Sequence, residues 1–319
     1  MSGWDDVVGL IERLDRNGHQ CQTHKPTFTA IMQDRASEQP KKESKDSVEV
    51  NLTLATKAVA TARKAAEDDA AHLPGLVKAL EALAEVHREM NETKRAEKRY
   101  REAIDLLPKC DLPPVDRARL RSRLATLLDF SKREADSIPF YEQAIEDYES
   151  LTPPDLDLAA QLRNNLAMIY KGLGKNALAE QHYLRGLEIL EEKHGNDSEF
   201  TATLFNNLGS LYYAAGFPEQ GKEVLREALD IRMRLLGLDH PDVAQTHSNL
   251  ASICHELGET PDALDHYEQG LAILEKNIED EATSYEAVGL DYIALLESIK
   301  EDKRAATFKK RMQRVLKTA

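Results

Sequence analysis

At 319 residues, 41% of them apolar and 31% charged, the chain is long enough for one large or two ordinary domains with a substantial core. A formal net charge of −14 repels polyanions and excludes broad nucleic-acid affinity as a default function. Three distant cysteines, Cys21, Cys110 and Cys254, form no CxxC pair and read as reduced thiols rather than a disulfide framework.

The first residues, MSGWDDVVGLIERLD, carry acids where a secretory signal carries Lys or Arg, and no run approaches eighteen apolar residues. A cytoplasmic chain without a transmembrane segment is expected. Residues 3–15 predict a short helix with Trp4, Val7, Val8, Ile11 and Leu14 on one side, a face that docks either on the rest of the chain or on a partner. His19, Cys21 and His24 follow in GHQCQTH, but zinc needs four ligands at defined spacing and no second pair lies near. A polar loop is the expectation, with no metal and no cofactor. Residues 33–47 are polar, charged and aperiodic, as in a linker, and a helix is predicted from Val48 to Ala70.

From there an internal repeat organises the chain. NNLAMIYKGLGKNALAEQHY from Asn164, NNLGSLYYAAGFPEQGKEVL from Asn206 and SNLASICHELGETPDALDHY from Ser248 align without gaps, each 42 residues after the last. Extending the frame gives six copies. A large residue followed by a small one marks each first helix: Leu83-Ala84, Leu124-Ala125, Leu166-Ala167, Leu208-Gly209, Leu250-Ala251 and Tyr292-Ile293. A small–large–small pattern at helical spacing marks each second helix, from Ala96/Tyr100/Ala103 to Ala305/Lys309/Met312. Small residues let helices approach to roughly 8–10 Å while Leu and Tyr fill the space between ridges. Gly174, Gly216 and Gly258 suit the left-handed ends of three first helices. Ala55, Val59 and Ala62 stand 41 residues before Ala96, Tyr100 and Ala103, so the helix from Val48 is expected to stack as an unpaired second helix. The expected organisation is therefore residues 1–47 as short helix and linker, 48–75 as a capping helix, and 76–319 as six repeats with a C-terminal cap.

These slots resemble the tetratricopeptide repeat, and the 42-residue version with GLDHPDVAQTHSNLA at the joint resembles the repeats of kinesin light chains. The resemblance covers about residues 76 to 316. It implies an all-α, right-handed superhelical solenoid of about six helical hairpins. Departures fall mainly at the ends, at His87 in the first copy and at Ile293, Lys309 and Met312 in the last, as a solenoid needs where one face meets water. Within the family, a compact chain of such repeats without a heptad coiled coil or a fused enzyme resembles the bacterial kinesin light chains, which are associated with bacterial tubulins. That implies a bacterial tubulin filament as partner, bound along its protofilaments.

The resemblance also implies that first helices line the concave face, which places Asn164, Asn165 and Lys171, then Asn206, Asn207 and Tyr213, then Gln245, Asn249 and His255 along a groove. Asn165, Asn207 and Asn249 either hydrogen-bond an extended partner backbone or cap helices and bond one another. A Lys/Asn/Arg clamp for a terminal carboxylate is not reproduced, because Ala82 stands behind Arg119 and Arg123. Charge is uneven: residues 86–133 hold 13 Lys/Arg against 8 Asp/Glu, and residues 134–299 hold 10 against 32. Lys94, Arg95, Lys98, Arg99, Arg119, Arg121 and Arg123 form a basic patch that either faces an acidic protein surface or is simply solvated.

In RLLGLDHPDVAQTHSNLA, from Arg234, Asp239, His240, Asp242 and His247 crowd like metal ligands, but the repeat frame makes the stretch a joint between hairpins, with Pro241 opening a helix. Cys254 falls in a core slot held by Tyr170 and Tyr212 in earlier copies. No phosphate loop, GxSxG elbow or HExxH helix occurs. The expected function is a non-enzymatic interaction scaffold on a tubulin-like filament, with a groove-binding peptide adaptor as the alternative. A monomer is compatible with six repeats whose ends are atypical.

Overall fold

A computed structural model describes residues 45–151, 153–194 and 198–317; the helix expected at 3–15 and the GHQCQTH stretch lie outside them. The described residues form thirteen α-helices: α1 (Lys45–Asp68), α2 (Leu73–Glu89), α3 (Thr93–Leu106), α4 (Pro114–Phe130), α5 (Glu134–Glu149), α6 (Leu156–Gly172), α7 (Asn176–His194), α8 (Glu199–Ala215), α9 (Pro218–Leu236), α10 (Pro241–Glu256), α11 (Thr260–Lys276), α12 (Ile278–Ser298) and α13 (Asp302–Leu316). From α2 onward they pair as six antiparallel hairpins, α2/α3 through α12/α13, and each second helix packs on the next first helix. The fold is an all-α tetratricopeptide-repeat solenoid. Helix α1 begins at Lys45 and ends at Asp68, three residues before and two before the expected bounds, because the run KDSVEV continues the helix and Asp69 caps a following 3-10 turn through the Ala71 amide.

The repeat slots explain why the hairpins close. Leu124, Leu166, Leu208 and Leu250 have no exposed surface, nor have Tyr100, Tyr141 and Tyr183 on the second helices. Each such side chain contributes about 1.5–3 kcal/mol by leaving water. In the last copy Met312 is buried while Lys309, in the aromatic slot, is exposed; nothing packs beyond α13 among the described residues, so a lysine there keeps its charge in water.

Every hairpin turns through one left-handed residue, at Asn91, Lys132, Gly174, Gly216, Gly258 and Lys300. The next residue's amide then closes back on the first helix, as in Phe217 to the Tyr212 carbonyl at 2.9 Å and Glu301 to the Leu296 carbonyl at 2.8 Å. Glycine takes this conformation freely, whereas Lys132 and Lys300 adopt it against their own Cβ.

Helix α1 packs on α2. Val59 is buried in a cluster with Leu76, Leu80, Leu83, Tyr100 and Leu124, and Ala55 and Ala62 pack against that cluster.

Candidate functional site

The first helices adjoin one another, α6 to α8, α8 to α10 and α10 to α12, and the residues expected to line their common face mostly bind each other. Asn207 donates its amide to Asn164 Oδ1 at 2.9 Å, and Asn249 donates to Asn206 Oδ1 at 3.0 Å. Asn164 in turn donates to Asn165 Oδ1 at 3.4 Å. Asn164, Asn206 and Asn249 are buried, Asn165 and Asn207 half-buried. The bonds join residues 43 apart, so they stitch one repeat to the next. Gln245 is turned toward Arg232, whose buried guanidinium also donates to Thr246 Oγ1 at 2.7 Å and to the Asp242 carbonyl at 2.8 Å. His255 is exposed at the end of α10. Tyr213 is half-buried, and burial with the nearby Glu256 and Asp291 charges pushes its hydroxyl up.

Lys171 differs from these amides. Its ammonium donates to Ser210 Oγ at 2.6 Å and makes no carboxylate contact among the described residues, and burial pulls it down to about 8. It is the one expected groove residue that presents a desolvated cation to this face.

The seven cations of the basic patch separate into two groups. Arg119 binds Glu81 through two bonds of 2.9 and 3.0 Å and also meets Asp116 at 2.8 Å; Arg123 meets Glu81 at 2.9 Å and Glu85 at 3.4 Å; Arg121 is paired with Asp147. These three, all on α4, hold α2 and α5 in place. Glu81 thus occupies the very cations that a carboxylate clamp would use. Lys94, Arg95, Lys98 and Arg99 stand on α3 instead, with Arg95 bonded to Glu92 and Arg99 to Glu102, and with Lys94 and Lys98 exposed.

The same repeat frame builds the joints between hairpins. Where α3 meets the loop after α4, Glu97 pairs with Arg133 at 2.7 Å; at the equivalent place three repeats on, Lys222 pairs with Glu259. The charges are exchanged and the bridge is kept. Between these, Tyr212 donates to Glu180 at 2.8 Å, and Lys175 lies over the Tyr170 ring at 5.6 Å. At the first joint the corresponding α1 residue is Thr56, uncharged and short. Glu92 therefore pairs with His87 Nδ1 and Arg95, each at 2.7 Å. A pocket of about 380 Å³ opens there, lined by Leu52, Thr56, Leu83, His87, Arg95, Lys98 and Arg99.

Metal-ligand geometry is sparse. The four residues of the RLLGLDHPDVAQTHSNLA stretch do not converge on one point: Asp239 pairs with Lys276 at 2.6 Å, His240 Nδ1 accepts from the Asp242 amide at 3.1 Å and lies 3.9 Å from its carboxylate, and His247 Nδ1 meets His266 Nδ1 at 3.0 Å. Pro241 opens α10 with His240 as its N-cap. Cys254 Sγ and the carboxylates of Glu259 and Asp262 lie within 4.8 Å of one another. Burial pushes that thiol up to about 11, and Lys222 already occupies Glu259, so the group behaves as an ionic joint beside a buried thiol. Cys254 is fully buried. No helix among the described residues is long and apolar enough to cross a membrane.

Sequence reasoning missed the His247–His266 pair, the bridge exchange and the pocket. The signal was present in the frame: positions 97 and 222 are equivalent, as are 133 and 259, and their charges swap together.

Tetratricopeptide-repeat family models match residues 79–113, 158–220 and 200–276. Among solved structures, BtubC (BKLC) from P. vanneervenii is similar at 30% identity over 71% of this chain and 90% of that one, with a TM-score of 0.58. A putative kinesin light chain from Podosopora anserina with nearly identical TPR-like repeats is similar at 17% identity over 65% and 98%, with a TM-score of 0.55. The C-terminal part of a TPR repeat-containing protein from Cytophaga hutchinsonii is similar at 13% identity over 85% and 94%, with a TM-score of 0.54. The last two share the fold alone. None of the curated proteins matches the chain significantly.

Proposed function

Because this chain belongs to the tetratricopeptide-repeat family, in its kinesin-light-chain form, we propose that it is a cytoplasmic, non-enzymatic scaffold that binds along a bacterial tubulin-like filament and tunes its assembly or attachment. Protein-interaction scaffolding is what the repeat fold does; the filament is the finer step. The observation that carries it is the similarity to BtubC, 30% identical over 90% of that chain, together with the joint sequence GLDHPDVAQTHSNLA that resembles the repeats of kinesin light chains. The contact surface in this proposal is α3, whose Lys94 and Lys98 are exposed and stand beside an otherwise acidic chain. Such a surface steers an acidic partner and fixes its orientation more than it adds affinity.

Co-sedimentation with polymerised bacterial tubulin at low and high salt tests this function. The expected result is pelleting at low salt that Lys94→Glu plus Lys98→Glu weakens at least tenfold and that Asn165→Ala plus Asn207→Ala spares. Absence from the pellet at low salt overturns it. Arg121→Glu is not a clean probe of the surface, since it would set a second carboxylate against Asp147, leave that group only its 3.5 Å contact with Arg117, and act through folding.

The alternative, an adaptor holding an extended peptide on the Asn-lined face, is favoured by one observation: the Lys171 ammonium on that face meets no carboxylate among the described residues. In that case the Asn pair variant, not the α3 charge reversal, abolishes binding.

A further inference from the structure

We propose that Lys171 is a carbon dioxide site, whose side-chain amine takes up CO2 reversibly as a carbamate held by the hydroxyls of Ser210 and Tyr183. The site is built from α6, α7 and α8 and needs no protein partner.

It arises where the repeat frame breaks its own pairing. In the second hairpin Tyr141 donates to Thr126 Oγ1 at 3.4 Å and to Asp129 Oδ2 at 3.5 Å, and in the fifth the hydroxyls of Tyr267 and Ser252 meet at 3.1 Å. The third and fourth hairpins each keep half of that arrangement. In the third, Met168 stands in the slot of Thr126 and Ser252. Tyr183, the counterpart of Tyr141, is fully buried, and its hydroxyl has no hydrogen-bond partner among the described residues. In the fourth, Leu225 stands in the tyrosine slot, and Ser210 accepts from Lys171 at 2.6 Å instead. Lys171 itself is the counterpart of Asp129, the second acceptor of the Tyr141 hydroxyl. The frame therefore directs the orphaned Tyr183 hydroxyl at the two slots held by Met168 and Lys171.

The result is a cluster of donors short of an acceptor. Ser210, with its oxygen accepting from Lys171, keeps its own proton to donate, and a phenol donates as well. Lys171 meets no carboxylate among the described residues, and burial alone pulls it down to about 8. At pH 7.5 roughly a quarter of it is then the neutral amine, against about a thousandth of an ordinary lysine. A buried polar group without a partner costs free energy until one arrives. CO2 is small, linear and uncharged, so it reaches a half-buried amine where a charged or bulky ligand does not. The amine lone pair forms the N–C bond, one C=O electron pair moves onto oxygen, and the proton lost from nitrogen passes to buffer. The product, a lysine carbamate, carries two acceptor oxygens for the two hydroxyls. It also turns a cation on the Asn-lined face into an anion.

Trapping of the whole protein with triethyloxonium in isotopically labelled bicarbonate at pH 7.5, followed by peptide mass spectrometry, tests the site. Labelled ethyl carbamate is expected at Lys171 at a level at least tenfold above that at the exposed Lys94 and Lys98. Tyr183→Phe should lower it at least threefold while leaving the urea midpoint in CO2-free buffer unchanged or raised, because the hydroxyl it removes is unpartnered. Met168→Ser, which offers that hydroxyl the partner seen in the fifth hairpin, should lower it to a similar extent. Trapping at Lys171 no greater than at Lys94, or undiminished in Tyr183→Phe, overturns the assignment. So does a urea midpoint lowered by Tyr183→Phe, which would show the hydroxyl already satisfied.

Discussion

The fourth hairpin and the first are written on one frame and solve the same packing problem differently. In the fourth, Gly209 on α8 and Gly221 on α9 face each other: a Cβ added at Gly221 would stand 2.9 Å from the Gly209 carbonyl oxygen and 3.0 Å from Ile253 Cδ1. In the first hairpin the same two slots hold Ala84 and Ala96, both fully buried. Its joint with α1 stays open where the joints on either side of hairpin four are closed by Tyr212–Glu180 and Lys222–Glu259. Closely stacked repeats spend their polar groups on one another. The difference teaches that surface left for a partner is to be sought where the frame's self-pairing residues are replaced by shorter ones.

The most damaging way to break this contrast is to put bulk into the tight crossing. Gly221→Val meets backbone rather than a flexible side-chain end, and backbone cannot retreat without moving the helix. A loss of about 3 kcal/mol is expected in urea unfolding. The equivalent substitution in the first hairpin, Ala96→Val, meets an alanine-spaced crossing and is expected to cost less. Equal losses at the two positions would mean that the two crossings are not differently packed.

A second way acts through pH on the fifth hairpin. His247 and His266 meet through their Nδ1 atoms at 3.0 Å, and their rings lie 5.2 Å apart, tilted by 41°. Burial, then the His266 ring, pulls His247 down to about 4 against a small opposing effect of Asp265; burial also lowers His266, against Asp265 and Asp262 and with Arg226 and Lys222. The unfolded imidazoles take up protons near pH 6.5, the folded His247 only near 4. Stability is therefore full above about pH 6.5 and falls as pH drops toward 4, by about 2 kcal/mol. One repeat earlier the same two slots hold Phe205 and Val224, both buried. The double change His247→Phe plus His266→Val should copy that packing and flatten this part of the pH profile in urea titrations at pH 7.5 and 4.5. An unchanged slope would place the acid sensitivity elsewhere.

The frame made the hairpins legible because the residues that set helix spacing repeat every 41 or 42 positions and act locally: Leu124 and Tyr141 are core in any hairpin of this kind. Partner choice was less legible. Arg119, Arg121 and Arg123 looked like surface charge until Glu81, Glu85 and Asp147 arrived from helices 26 to 42 residues away. The Asn ladder left two outcomes open, since an amide can serve a ligand or its neighbour equally well, and only the distance between α6, α8 and α10 decides. The pocket was hidden for a different reason: it is made by what Thr56 and His87 lack, and a missing reach has no motif.

The smallest effect sharpens the comparison at the turns. Gly216 and Lys132 occupy the same left-handed position in the fourth and second hairpins, with φ of 88° and 58°, and both turns close with a hydrogen bond back to the first helix, Phe217 to Tyr212 at 2.9 Å and Arg133 to Leu128 at 3.0 Å. A side chain in this conformation costs roughly 1–2 kcal/mol, while glycine adds entropy to the unfolded chain that offsets roughly half of any relief. Lys132→Gly should thus stabilise by about 0.5 kcal/mol, and Gly216→Ala should destabilise by about 1 kcal/mol. Lys132 is exposed and makes no ion pair among the described residues, so the substitution removes no bridge. Urea midpoints of the two single variants therefore report the turn alone. If Lys132→Gly lowers the midpoint instead, the αL strain is being relieved by something other than the backbone, and the six turns are not equivalent after all.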